Sequence, residues 1–225
     1  MRNLGKRIDL HCHSLLSDGV LLPSELVRRA QTLDHKAIAI TDHADASNLE
    51  GVVKSLTKAS NSLQKHLETV LIPGVELTHI PPNLMEGLAS KARKLGAALI
   101  VVHGETIVEP VIPGTNRMAV ICSNVDILAH PGFISEAEAE LAKENGIYLE
   151  LSARMGHCLT NGHVAKIAST VKAKLLVNTD LHEPNEFLSQ EAAFRLAIGS
   201  GLKEVAAVRA VRDNPLEILR HSISK

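Results

Sequence analysis

One pattern runs through the whole chain: a short aliphatic run, a polar turn, then a helical stretch. Runs at 7–12, 36–41, 70–77, 97–102, 125–129, 147–151 and 174–178 read as seven strands. Helical periodicity falls between them: from Pro23 onward with Leu26, Ala30 and Leu33 on one face, then at 48–68, 84–95 closed by Gly96, and 117–122. It continues from the Ser135 cap to Asn145-Gly146, and at 162–171, 186–198 and 215–221. The segment 205–211 is compatible with strand or helix. Strands that are apolar throughout and separated by helices must be covered on both faces. The expectation is therefore an α/β fold of parallel β/α units. No linker, repeat or low-complexity segment interrupts the pattern, so residues 1–225 are expected to form one domain.

The polar residues fall at the strand ends. The first run ends in Asp9-Leu10-His11-Cys12-His13, the second in Thr41-Asp42-His43 and the third in Gly74-Val75-Glu76. The fourth ends at His103, the fifth at Ala129-His130-Pro131, the sixth at Glu150 and the seventh in Asp180-Leu181-His182. With 12 His in 225 residues, one His-x-His is expected by chance about 0.6 times, so the first motif alone carries little weight. Recurrence at all seven strand ends carries a great deal, because β/α barrels build their active sites there. Histidine with carboxylate and no thiolate suits Zn, Mn or Fe, and the number of candidates calls for two to three divalent ions. Clustered ions of this kind typically serve phosphate-ester hydrolysis, lowering the pKa of a bridging water that attacks phosphorus.

These motifs, with Ser17-Asp18-Gly19, resemble the PHP (polymerase and histidinol phosphatase) family over nearly the whole chain. The resemblance implies a distorted (β/α)7 barrel, TIM-barrel-like, with a trinuclear site. It places His11, His13, Glu76 and Asp180 on a first ion. Glu76 would bridge to a second, held also by His103 and His130, while Asp18, His43 and His182 would hold the third. Every position is filled by a competent ligand, so an active enzyme is expected: a metal-dependent phosphoric ester hydrolase cleaving a small phosphomonoester, with histidinol phosphate the first candidate. The alternatives are a phosphodiesterase or nuclease acting on short oligonucleotides or nucleotide bisphosphates, and a non-catalytic metal-binding scaffold subunit.

Other residues take supporting parts. Arg154, in the polar loop after the sixth strand, is the first candidate for a phosphate clamp, and Arg117 the second. Asp9, Asp42 and Glu150 are candidates to accept hydrogen bonds from ligand histidines. His79 is placed near the mouth, and 104–116 is read as a loop over the site. His35, His66 and His221 are expected on the surface. Strand alternation puts Asp9, His11 and His13 on one face, with Ile8, Leu10 and Cys12 on the other.

Composition narrows the partners. Lys+Arg 24 against Asp+Glu 25 gives no basic field for nucleic acid, and 2% aromatics with no Trp offers few stacking platforms. Nucleic acid is therefore expected only as a short oligonucleotide substrate. Three scattered cysteines form neither a disulfide framework nor a zinc motif. The charged N-terminal stretch lacks an apolar leader, and no run is long enough to span a membrane. A cytoplasmic protein is expected, with homo-oligomerisation left open.

Overall fold

In a computed structural model describing residues 3–223, the alternation becomes a parallel sheet rolled most of the way into a barrel. The strands are β1 (Arg7–Asp9), β2 (His35–Ile40), β3 (His43–Ala44), β4 (Val70–Leu77), β5 (Leu99–His103), β6 (Ile127–Ala129), β7 (Tyr148–Ser152) and β8 (Leu175–Asn178). Pairing follows β1-β2-β4-β5-β6-β7-β8, parallel throughout. These seven are the strands expected. The two-residue β3 is an addition that sets His43 opposite Glu76 on β4.

Between the strands lie α1 (Pro23–Thr32), α2 (Leu49–Leu63), α3 (Met85–Leu95), α4 (Thr115–Ile121), α5 (Glu136–Glu144), α6 (Asn161–Val171), α7 (Gln190–Gly199), α8 (Glu204–Val208) and α9 (Asn214–Ile223). Local chemistry sets their ends. Pro23 opens α1, a reciprocal Ser135–Glu138 capping box opens α5, and Gly96 at φ 105° stops α3. Two expectations shorten. The helix at 48–68 ends at Leu63, beyond which Gln64 turns its side chain to accept the Leu71 N–H. The helix expected from 186 starts at Gln190, because the Ser189 hydroxyl caps it by accepting the Ala192 N–H. Segment 205–211 is helical, running into a π turn over Arg209–Asp213. Among the described residues, no helix is long and apolar enough to cross a membrane.

The barrel interior is filled by Ile8, Leu10, Ala37, Ala39, Ile72, Leu99, Val101, Ile127 and Leu176, and α9 closes its lower end with Ile218 and Leu219. Burial of these side chains, at about 25 cal/mol per Å², is the main force holding strands to one another. The seam between β1 and β8 is closed differently. Above, backbone bonds run from Asp180 N–H to His11 O (2.9 Å) and from His13 N–H to Leu181 O (2.8 Å). Below, side chains do the work of the ladder. Asn178 Oδ1 accepts the Leu10 N–H (3.1 Å), Arg7 Nη2 donates to Val177 O (2.8 Å), and Asp9 Oδ1 accepts the Thr179 N–H (3.1 Å).

The seam corrects the expected alternation. Ile8 and Leu10 share the interior, as the alternation predicts, but regular β1 ends at Asp9 and the two-residue period is lost beyond Leu10. Cys12 packs outside with Leu21, Leu26 and Ile38. Cys12 is thus a buried apolar residue, its thiol 2.9 Å from Ala39 O. His35 corrects a second expectation: as the first residue of β2 it is buried, edge-on to Phe187.

Candidate metal centre

At the upper end of the barrel, the proposed ligands come together in overlapping sets of neighbouring donor atoms. His11 and His13 leave the end of β1, and His43 comes from β3. Glu76 lies on β4, and His103 ends β5. His130 follows β6; Asp180 and His182 follow β8. His11, His13 and Glu76 are fully buried, and Asp180 is 2% exposed. Asp18 enters from the loop after β1. His130 (φ 26°) and Asp180 (φ 55°) hold left-handed backbone, which L-residues adopt only at a cost.

The distances suit ligands of shared ions. His13 Nε2 lies 3.1 Å from Asp180 Oδ1, and His11 Nε2 lies 3.4 Å from Glu76 Oε1. His130 Nε2 is 3.6 Å from Glu76 Oε1, and Asp18 Oδ1 is 3.2 Å from His182 Nε2 and 3.5 Å from His43 Nε2. Among the described residues, five sets have ligand atoms close enough for one ion each: His13–Asp18–His43–His182, His11–His13–Asp180, His11–Glu76–His130, His103–His130–His157 and His79–His103–Glu109. The implied grouping differs in detail, since His13 also stands with the Asp18 set and His157 joins His103 and His130.

A buried polar atom is normally hydrogen-bonded. Here His11 Nε2, both ring nitrogens of His13, both of His130, and Glu76 Oε1 have no hydrogen-bond partner. They converge without the alignment hydrogen bonds require, as donor atoms around a cation do. The donor set therefore fits divalent metal. One ring is already oriented: His11 Nδ1 lies 2.8 Å from Glu150 Oε2, which fixes the proton there and turns Nε2 toward Glu76 and Asp180. Glu150 is held in turn by Asn178 Nδ2 at 2.9 Å. Asp9 and Asp42 do other work. Asp9 pairs with Arg7 along β1 and accepts the Thr179 N–H across the seam, and Asp42 fastens the loop after β1 through Ser14 and Ser17.

The cage is strongly polarised. Burial opposes the charged form of His11, but Glu150, Asp180 and Glu76 outweigh it and raise its pKa well above the ordinary value. Burial dominates at His13 and pushes it down to about 3. Glu76 and Asp180 resist burial through neighbouring histidines, His11 above all, and stay well below the usual carboxylate range. The carboxylates are thus ionised and face inward, ready for positive charge.

Arg154 reaches the rim, with Nη1 2.7 Å from His182 Nδ1 and 3.4 Å from Asp180 O. Guanidinium only donates, so this contact needs His182 Nδ1 to accept. His182 Nδ1 is also 2.9 Å from Asp180 O; donating there would free Nε2 for an ion once Arg154 turns outward. Arg117 is exposed on α4, and no contact among the described residues brings it to the cage. His79 does line the mouth, at φ 50°. Two residues join that the ligand motifs do not contain. His157 Nδ1 is 3.0 Å from Asp180 Oδ2, and Glu109, on the loop at 104–114, is 3.0 Å from His157 Nε2 and 3.1 Å from His103 Nε2. The available signal was their position in loops after barrel strands; no spacing rule marks them.

The PHP domain model matches residues 9–117. The chain is 48% identical over 215 residues to the uncharacterized protein MJ1295 of Methanocaldococcus jannaschii, covering 95% of this chain and 99% of that one. In fold it is similar to a chain in the cryo-EM structure of archaeal ribonuclease P with mature tRNA (TM-score 0.68, 15% identity, 97% and 90% of the two chains). It is also similar to histidinol phosphate phosphatase from Lactococcus lactis, solved with zinc, L-histidinol and phosphate (TM-score 0.59, 16% identity, 88% and 95%).

Proposed function

Because the chain belongs to the PHP-domain family, we propose that it is a metal-dependent phosphoesterase whose substrate is a small phosphomonoester. The observation that carries this reading is the set of unpartnered nitrogen and carboxylate atoms of His11, His13, His130 and Glu76, gathered within one cluster of ligand-spaced residues. His11, His13, Asp18, His43, Glu76, His103, His130, Asp180 and His182 would hold two to three ions, of Zn, Mn or Fe. When bound, such ions supply positive charge for phosphoryl oxygens and a water acidified enough to attack near neutral pH. The chain's own part is orientation: Glu150 fixes the His11 ring, and Arg154 stands at the rim where a phosphate would enter. No side chain is needed as a covalent nucleophile.

Charge supports a small substrate. The loops beyond the strand ends (14–22, 44–48, 78–84, 104–114, 131–135, 153–160, 181–189) carry one Lys or Arg, Arg154. They carry acids at Asp18, Asp45, Glu105, Glu109, Glu183 and Glu186. A polyanion tracking across this mouth would meet like charge, whereas a single phosphate would need only the ions and Arg154. Histidinol phosphate is the first candidate. The likeness to a chain of ribonuclease P keeps an RNA-associated role as the second reading.

The test is phosphate release by protein loaded with Mn²⁺ or Zn²⁺, with His11→Ala as the blank. Histidinol phosphate would be run beside a phosphodiester and a short oligonucleotide. Turnover of the monoester that His11→Ala abolishes supports the proposal. Cleavage confined to the diester or oligonucleotide moves the protein to the nuclease reading. Full metal loading with no turnover favours a binding subunit.

A further inference from the structure

The loop between β5 and α4 is stapled at its base. Glu105 Oε1 accepts the N–H groups of Gly114 and Asn116 (both 2.9 Å), Asn116 Oδ1 accepts the Glu105 N–H (2.9 Å), and Asn116 Nδ2 donates to Pro131 O (2.8 Å). At the tip the backbone bonding is local, from Val111 N–H to Glu109 O (2.9 Å). The tip leans over the cage, where Val108 lies close enough to Gly156 that a β-carbon there would meet it at 3.3 Å. The next residue, Glu109, puts its carboxylate among three imidazoles: Oε2 is 3.0 Å from His79 Nε2 and 3.1 Å from His103 Nε2, and Oε1 is 3.0 Å from His157 Nε2.

His103 has one nitrogen to offer a metal. Its Nδ1 faces Gly104 O at 3.2 Å, so only Nε2 looks into the cage. That atom belongs to two sets of ion-compatible spacing, His103–His130–His157 and His79–His103–Glu109. An ion on His103 therefore has Glu109 within reach on its solvent side. The Glu109 side chain is 36% exposed, while His11, His13 and Glu76 are fully buried. Its position is open to incoming solute, as is that of Asp18 on its own loop.

Building on the metallophosphoesterase reading, we propose that Glu109 is an exchangeable ligand: it completes the ion on His103 in the resting enzyme, and the substrate's phosphate displaces it. Carboxylate and phosphate oxygens are both hard anionic donors and would compete for one coordination position. A ligand carried on a loop tip can leave at the cost of a few local contacts. The ligands carried on strand ends cannot. Displacement would also free Val108 from Gly156 and open the mouth in the same movement. This loop would tune affinity for phosphate, product included.

The experiment measures metal and phosphate binding in the full-length protein, wild type and Glu109→Gln, by calorimetry with Zn²⁺ or Mn²⁺ and with inorganic phosphate as the probe. Without phosphate, Glu109→Gln should weaken one ion of the set about tenfold or more. At saturating phosphate the two proteins should bind that ion alike, because phosphate then fills the position in both. By linkage, the metal-loaded variant should bind phosphate more tightly than wild type by the same factor. Equal metal affinity without phosphate would overturn the proposal. So would a difference that persists at saturating phosphate, which marks a permanent ligand, or weaker phosphate binding by the variant, which marks a substrate contact. Thermal unfolding of both proteins checks that the variant is folded. A wild type that binds no metal would instead overturn the phosphoesterase reading beneath it, so the two failures are distinct.

Discussion

Glu150 offers the sharpest test of how the cage is built. It sits on β7, fully buried, and makes two contacts: His11 Nδ1 at 2.8 Å and Asn178 Nδ2 at 2.9 Å. Its carboxylate holds the His11 proton on Nδ1, so that Nε2 presents a lone pair to the ion. Glu150→Gln keeps the volume and one acceptor oxygen, but turns a charge-assisted bond, roughly twice as strong as a neutral one, into a neutral one. It also sets an amide nitrogen beside the shell that Asn178 already fills with a donor. Glu150→Ala removes both acceptors and leaves two buried donors unpaired, at about 1–3 kcal/mol each. Loss of an outer partner of a metal histidine costs about 10–100-fold in metal affinity, or about 1.4–2.7 kcal/mol. The expected order of affinity is wild type, then Gln, then Ala, with Gln near the lower figure. Competition against a chelating dye measures it, and Glu144→Gln, exposed at the end of α5, serves as the control. If Glu150→Gln binds metal within about threefold of wild type, the carboxylate does not orient His11 and the reasoning fails.

Three further outcomes are expected. Stripping metal with a chelator should lower the thermal midpoint by about 5–11 °C, since saturation at 100 times Kd contributes about 2.7 kcal/mol; the shift should shrink in His11→Ala. Gly132→Ala should cost more than about 2 kcal/mol in urea unfolding, because its φ is +57° and a β-carbon would lie 1.9 Å from Glu105 O. Burial lowers the His35 pKa, with Asp9 opposing and Arg7 reinforcing. The unfolded chain thus takes the proton first, near pH 6.5, and stability falls as pH drops from there toward the depressed folded value, by up to about 1.4 kcal/mol per pH unit; His35→Gln should flatten that part of the pH profile.

The sequence shows most of the cage because the chemistry is repeated in register with the fold. Each ligand stands at or just beyond the end of an apolar run, and parallel barrels gather such ends on one face. What stayed hidden depends on contacts across long separations. Glu109 meets His157, and His157 meets Asp180, through loops whose course no local pattern specifies. The face of Cys12 differs from the expected alternation because β1 stops at Asp9, where Asn178 takes over the ladder's role from the far end of the chain. His35 looked like a surface residue because its cover is Phe187, far along the sequence. Arg154 is preferred to Arg117 in the sequence only by its loop; tertiary placement puts the one at the rim and the other on an outer helix.

The side-chain seam between β1 and β8 has a consequence for how the molecule is held shut. Asp9 and Thr179, 170 residues apart, meet there through a single side-chain bond. Just above, His11 and His13 face Asp180 and His182. An ion shared by these residues would cross-link the first strand to the last, enclosing about three quarters of the 225-residue chain in one loop. Covalent closure of a loop of about 100 residues contributes about 4.7 kcal/mol in the chain-entropy picture, and the dependence on length beyond that is shallow. On this view the metal would act as a clasp as well as a reagent. During synthesis it could not be engaged until the last ligand-bearing segment had emerged, so a partly made barrel would carry only half of the clasp.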